Sequence, residues 1–261
     1  MFDSGVGGLS VLKALRAELP HEDFVYVADS GFAPYGERSG CFVQDRARLI
    51  TQYLLDQQPA IKALVIACNT ATAAAVQLLR QEHPGFPIIG VEPALKPAIA
   101  ASRTRRIGVM ATRVTLESDK FNALKLSLSE QATFICQPCD GLADAIERDD
   151  ASQIVALCTQ YTRDMGQFGI HEGQIDTLVL GCTHYPFASH HLQRLVGPQV
   201  CLIDNGEPVA RQTRRVLPAL TDYRGEGCLQ LFSTGNPQIL TDAAQRWLGG
   251  TPHAQTMSIA G

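Results

Sequence analysis

The stretch Leu64-Val65-Ile66-Ala67-Cys68-Asn69-Thr70-Ala71 is a short apolar run that stops abruptly at a cysteine and two small polar residues. A run of this length reads as a strand of a parallel sheet buried on both faces, and 71–79 reads as the helix that follows it. Cys68 therefore falls at the carboxyl end of a strand, where open α/β sheets hold their ligands. The same phrase returns as Leu178-Val179-Leu180-Gly181-Cys182-Thr183-His184-Tyr185-Pro186. Strand, small residue, cysteine, polar pair, helix: one device occurs twice. The two thiols are expected to face each other across a cleft between two similar domains.

The rest of the chain repeats that alternation. Strands are expected at 24–29, 88–91, 106–111, 133–135, 177–180, 200–203 and 229–232. Helical patterns separate most of them, at 38–56, 116–128, 151–166 and 208–220 among others. Strand-helix alternation of this kind predicts an α/β fold of doubly wound parallel sheets. The chain opens with Phe2-Asp3-Ser4-Gly5-Val6-Gly7-Gly8-Leu9-Ser10, the end of a short strand turning into a helix that runs to about Leu19. Its glycines let backbone amides approach an anion, or simply make a tight turn. Asp3, at a strand end, points into the same crevice as a ligand would. Turn residues after strands, in Val91-Glu92-Pro93 and Ile203-Asp204-Asn205-Gly206, mark two crossings between domains. They divide the chain into 1–93 plus 205–261 and 94–204. From Gly249 onward the sequence lacks periodicity and reads as a loose tail.

The 261 residues suffice for one large domain or two modest ones, and 45% hydrophobic with 18% charged residues is ordinary globular composition. A net charge of −4 gives no basic footprint for nucleic acid. Arg103-Thr104-Arg105-Arg106 reads as a solvated approach to a strand. No basic leader and no apolar run long enough to span a bilayer is seen, so neither a membrane nor export is expected, and the default location is cytoplasmic. There the eight cysteines are expected to be reduced thiols. Cys136-Gln137-Pro138-Cys139 has redox-like spacing, but no second pair for zinc and no thioredoxin pattern accompanies it, so core or loop filler is expected. Cys41, Cys158, Cys201 and Cys228 read as small apolar residues in periodic segments. The adjacent His190 and His191 should diverge on a helix surface. No metal site is expected.

Five motifs, in order, resemble the glutamate racemase family along nearly the whole chain: 3–12, Pro34-Tyr35-Gly36, Ala67-Cys68-Asn69-Thr70-Ala71, Val91-Glu92-Pro93-Ala94 and Gly181-Cys182-Thr183-His184-Tyr185-Pro186. The resemblance implies cofactor-independent interconversion of L- and D-glutamate, supplying D-glutamate to bacterial peptidoglycan. It implies two domains related by pseudo-twofold symmetry with one active site at their interface. It also admits a homodimer, a form common in that family. The catalytic residues it implies are Cys68 and Cys182, with Asp3 and His184 to hold or accept protons near each. Glu147 is the expected partner near the second thiol, against a plain helix-surface glutamate. Asp3, Ser4, Tyr35, Gly36, Asn69, Thr70, Thr112, Thr183 and His184 match substrate-binding positions. Two departures stand out: the chain begins almost at Phe2-Asp3-Ser4, so its first strand is expected to be short or absent, and the loop 29–34 differs from the commoner arrangement before Pro-Tyr-Gly.

The chemistry stands beside the resemblance. Racemisation removes a proton from one face of a carbon and returns one on the other, and two acid/base groups do this without moving the substrate. Two copies of one strand-cysteine-helix turn would supply such a pair. An aspartate or hydantoin racemase is the nearest rival, and His184-Tyr185-Pro186 favours glutamate. A cysteine hydrolase would leave the second cysteine turn without a purpose, and a binding module that lost turnover would not need the pair.

Overall fold

The computed structural model describes residues 1–58, 60–217 and 227–259. The chain forms two compact units, Met1–Val91 with Gly206–Gly261, and Glu92–Asn205. In the first unit, β1 (Phe2–Asp3), β2 (Phe24–Ala28), β3 (Leu64–Ile66), β4 (Ile88–Gly90), β9 (Leu229–Ser233) and β10 (Ala254–Thr256) make a six-stranded sheet in the order β10-β9-β2-β1-β3-β4. In the second, β5 (Arg106–Ala111), β6 (Thr133–Pro138), β7 (Thr177–Leu180) and β8 (Cys201–Ile203) make a sheet in the order β6-β5-β7-β8. All recorded pairings are parallel. The expected α/β class is what the chain forms.

The two sheets match strand for strand. The order β2-β1-β3-β4 of the first is the order β6-β5-β7-β8 of the second, and the first adds β9 and β10 beyond β2. The register matches as well. Phe2 pairs with Ile66, and Met110 pairs with Leu180. Ala67 N–H donates to the Phe2 carbonyl at 2.7 Å, and Gly181 N–H donates to the Met110 carbonyl at the same distance. Two residues beyond each paired position stand Ser4 beside Cys68 and Thr112 beside Cys182. The duplicated phrase thus shares one strand register, because the side-chain period of two puts equivalent residues on equivalent faces.

The expected first strand is short, two residues, yet it lies in the middle of its sheet between β2 and β3. Phe2 is buried in the same apolar cluster as Val27, Ile50, Leu54, Ile66 and Leu79. Helix α2 (Gly40–Gln57) covers that cluster with Val43, Ala47, Ile50 and Leu54, an apolar stripe at three- and four-residue spacing. Ser39 caps it, its hydroxyl accepting from Phe42 N–H at 3.3 Å. The stripe has one charged member, Arg46, which is buried with the rest.

Three expectations about elements change. The helix at 116–128 is two helices, α5 (Arg113–Glu117) and α6 (Asp119–Ser127), because Ser118 ends one and caps the next, accepting from Phe121 N–H at 3.2 Å. The loose tail is instead an edge strand. Ala254, Gln255 and Thr256 of β10 pair with Leu231, Phe232 and Ser233, and Met257 and Ile259 are buried in the first unit's core. A three-residue edge strand is too short to show a period, and its anchor is a tertiary bond, Ala254 N–H to the Thr241 hydroxyl at 3.0 Å. The helix expected at 208–220 runs Gly206–Val216, and its expected last turn reaches residues outside those described. Among the described residues no helix is long and apolar enough to cross a membrane.

Candidate active site

The first cysteine turn closes β3. Helix α3 (Asn69–Glu82) starts at once, and Cys68 is its N-cap: the Ala71 N–H donates to Sγ at 3.4 Å. The positive end of the helix dipole favours an anionic sulfur there. The Ser4 hydroxyl oxygen lies 3.9 Å from the same sulfur. Asp3 is wholly buried, and its carboxylate accepts from Ser4 N–H at 2.7 Å and from Gly8 N–H. The Ser4 hydroxyl sits 3.4 Å from Asp3 Oδ1, so Asp3, Ser4 and Cys68 form a chain of polar contacts. The turn has no room to spare. A Cβ on Gly8 would stand 2.8 Å from both the Asp3 Cβ and the Tyr26 hydroxyl, which itself donates to the Gly5 carbonyl at 2.6 Å. Asn69 and Thr70 open α3, both buried, and Asn69 Nδ2 donates to the Val91 carbonyl at 3.3 Å.

The loop after β2 carries the Tyr35-Gly36 pair. Tyr35 is buried, and its hydroxyl donates to Asp29 Oδ2 at 2.5 Å. Burial first, then the charge and hydrogen bond of Asp29, hold the phenol well above its ordinary range, so it stays protonated. Tyr35 was expected to bind substrate. Its hydroxyl proton is given inward to Asp29.

The second cysteine turn follows β7, and it differs from the first. Cys182 is not a helix cap. A short 3-10 turn, Tyr185–Ala188, comes before α9 (Ser189–Val196), since Pro186 suits only the first turn of a helix. The partner of the second sulfur is therefore a side chain: Cys182 Sγ lies 3.8 Å from His184 Nδ1. The other ring nitrogen, Nε2, is 2.7 Å from Glu147 Oε2, at the end of α7 (Leu142–Glu147). Burial opposes the imidazolium, but the hydrogen bonds and charges of Cys182 and Glu147 outweigh it and raise His184 well above 6.5. The sequence left open a helix-surface role for Glu147, and the geometry places it on His184. Gly181 is required by close packing, because a Cβ there would meet the Met110 carbonyl at 2.9 Å and Ala111 Cβ at 3.1 Å. Thr183 is buried, and Thr112 caps α5, its hydroxyl accepting from Thr115 N–H at 3.3 Å.

A raised histidine makes stability depend on pH with a definite sign. Its stabilising contribution is present in full below about 6.5, the unfolded value, and is lost as pH rises through the raised folded value. Denaturant unfolding of the protein and of His184→Gln should show a stability gap that is widest near pH 6 and narrows toward alkaline pH. A gap that widened with pH would reverse the assignment.

The remaining sites are bland or corrected. Cys139 and Cys158 are buried, and burial raises both thiols, Cys158 to about 11. Cys41, Cys201 and Cys228, read as small apolar residues, are exposed. His190 and His191 do not diverge. Their ring centroids lie 3.7 Å apart, and burial, then His190 and Arg194, lower His191. Among the described residues no group of three His, Cys, Asp or Glu could hold a metal ion.

The Asp/Glu/Hydantoin racemase model matches residues 9–213 of this two-unit α/β chain. The chain belongs to that family and is an isomerase. Among its relatives, it is 47% identical over 259 residues to a glutamate racemase from Ectopseudomonas mendocina, covering 94% of this chain and 95% of the relative. A glutamate racemase from Ralstonia pickettii is 45% identical, with 99% of this chain and 90% of the relative covered. Of solved structures, a glutamate racemase isoform from Bacillus anthracis superposes with a TM-score of 0.86 at 31% identity, over 99% of this chain and 96% of that one. Escherichia coli glutamate racemase, solved with L-glutamate and the activator UDP-MurNAc-ala, gives 0.85 at 28% identity over 100% and 97%.

Sequence reasoning missed Asp29 and Arg46. The guanidinium bonds both carboxylate oxygens, Nη2 to Oδ1 at 2.8 Å and Nε to Oδ2 at 3.0 Å. The signal was present as one arginine in an otherwise apolar helix stripe.

Proposed function

We propose that this racemase interconverts L- and D-glutamate without a cofactor, the Cys68 and Cys182 thiols acting on opposite faces of the α-carbon. One sulfur is thiolate and takes the proton, the other is thiol and returns one, and their states exchange with each turnover. The observation that carries this reading is the shared register: each thiol stands two residues beyond a paired position, beside Ser4 in one sheet and Thr112 in the other. Glutamate as the substrate is supported by the names of the relatives, and by a Francisella tularensis glutamate racemase solved with D-glutamate.

In this reading Asp3 and Ser4 serve Cys68, and His184 with Glu147 serves Cys182. Gly36, Asn69, Thr70, Thr112 and Thr183 supply donors to the two carboxylates and acceptors to the ammonium. Strong hydrogen bonds to the α-carboxylate stabilise the charge that develops on deprotonation. The reaction is cytoplasmic and supplies D-glutamate for peptidoglycan.

Purified protein, dialysed against a chelator, should convert either glutamate enantiomer to a racemic mixture by chiral chromatography. Aspartate should be converted far more slowly. Its shorter side chain leaves one set of donors unpaired, a loss of roughly 1–3 kcal/mol per group. Comparable turnover of aspartate would move the protein to another branch of the family, and activity restored only by added metal would end the cofactor-free reading.

A further inference from the structure

Asp29 follows β2 with a carboxylate wholly removed from solvent. Its oxygens take hydrogen bonds from three separate parts of the chain. Oδ2 accepts from Arg46 Nε at 3.0 Å and from the Tyr35 hydroxyl at 2.5 Å, while Oδ1 accepts from Arg46 Nη2 at 2.8 Å and from the Thr234 hydroxyl at 2.9 Å. The Phe32 ring stacks against the guanidinium, with Cζ 3.7 Å from its centroid. Thr234 Oγ1 in turn accepts from Gly31 N–H at 3.1 Å. The segment 30–37 is therefore held at Gly31 through Thr234, at Phe32 by Arg46 and at Tyr35 by Asp29. One buried ion pair, reached from α2 and from the residue after β9, clamps the whole loop.

We propose that Arg46 is a positioning residue for substrate binding, fixing the Tyr35-Gly36 backbone through Asp29 without touching substrate. This rests on the reading that the Tyr35-Gly36 loop belongs to the substrate site. An ion pair of this kind offers geometry more than net stability. Buried pairs often do no better than apolar side chains of similar volume, but a planar fork matched to a carboxylate fixes orientation in a way a point charge does not. The loop's residues form two short 3-10 turns, Ser30–Phe32 and Tyr35–Glu37, with the Tyr35 ring in the core cluster and Phe32 packed against it, and the ion pair fixes the polar ends of that packing.

The test uses Arg46→Lys, Tyr35→Phe and the double variant, with glutamate KM and kcat measured on protein shown to be folded by circular dichroism. Arg46→Lys keeps the charge and loses the fork. KM should rise about tenfold, as a loop displacement well short of the ~1 Å that costs 10²-fold would give, with kcat nearly unchanged. Tyr35→Phe should raise KM in the same direction. The double variant should raise it by less than the product of the two, because both act on one loop. A purely structural pair would lower the melting temperature and leave KM where it was, and that result would overturn the proposal. If Arg46→Lys does not fold, Tyr35→Phe and Thr234→Val, which leave the ion pair intact, decide the matter by the same KM criterion. Gly36→Val separates the two layers of the argument. An unchanged KM there removes the loop from the substrate site altogether. A raised KM with Gly36→Val, beside an unchanged KM in the clamp variants, defeats the positioning role alone.

Discussion

Cys68→Ser and Cys182→Ser should each lower racemisation by about 10²–10⁴-fold, the range that a positioned acid/base group supplies. A serine hydroxyl is far harder to ionise than a thiol, and each turnover needs both groups. Racemisation alone does not reveal which face each serves. The two enantiomers have equal free energy, so kcat/KM must fall equally in both directions whichever thiol is lost. An analogue bearing a leaving group on its β-carbon removes that constraint. One base takes the α-proton, the β-carbon–leaving-group bond breaks, and the reaction does not return. Cys68→Ser should then retain elimination with the L analogue and lose it with the D analogue, and Cys182→Ser should show the reverse. Loss of both eliminations in both variants would end the two-sided mechanism.

Glu147→Gln is the second variant with a large expected effect. The glutamate oxygen lies 2.7 Å from His184 Nε2, and the opposite ring nitrogen lies 3.8 Å from the Cys182 sulfur. Glutamine keeps the shape and removes the charge, so the buried imidazolium loses the partner that helps offset its burial. Racemisation should fall by about 10²-fold. The loss should appear in elimination from the L analogue, which uses Cys182, and spare the D analogue, which uses Cys68 beside Ser4 and the α3 amides. Equal loss with both analogues would show that Glu147 acts on the substrate or the fold at large. Unchanged elimination from the L analogue would remove it from the mechanism.

The two thiol turns were legible because everything that makes them is local. An apolar run, a small residue, a cysteine and a polar pair share one stretch of backbone, so the strand and the turn after it are read from neighbours alone, though what surrounds each sulfur is not. Tyr35 shows where that logic stops. Its motif was readable, but the direction of its hydroxyl was not, since its partner Asp29 is held by an arginine on another helix. Arg46 looked like an interruption of an apolar stripe. Only the fold supplies the carboxylate that makes its burial tolerable, given that removing one partner of a buried pair costs about 3–5 kcal/mol. Residues 254–259 carried no period because three edge residues are too few to show one.

The sequence by itself determined the α/β class, the doubled cysteine turn and the parallel strands, all of which follow from hydrophobic periodicity and turn chemistry within a few neighbouring residues. Tertiary structure decided the contacts between residues far apart in the chain: Glu147 on His184, Arg46 on Asp29, Thr234 on the loop at Gly31, and the tail as an edge strand. The physical reason is that periodicity reports which face of an element is apolar. The partner of a buried charge depends on which elements the sheet order brings together.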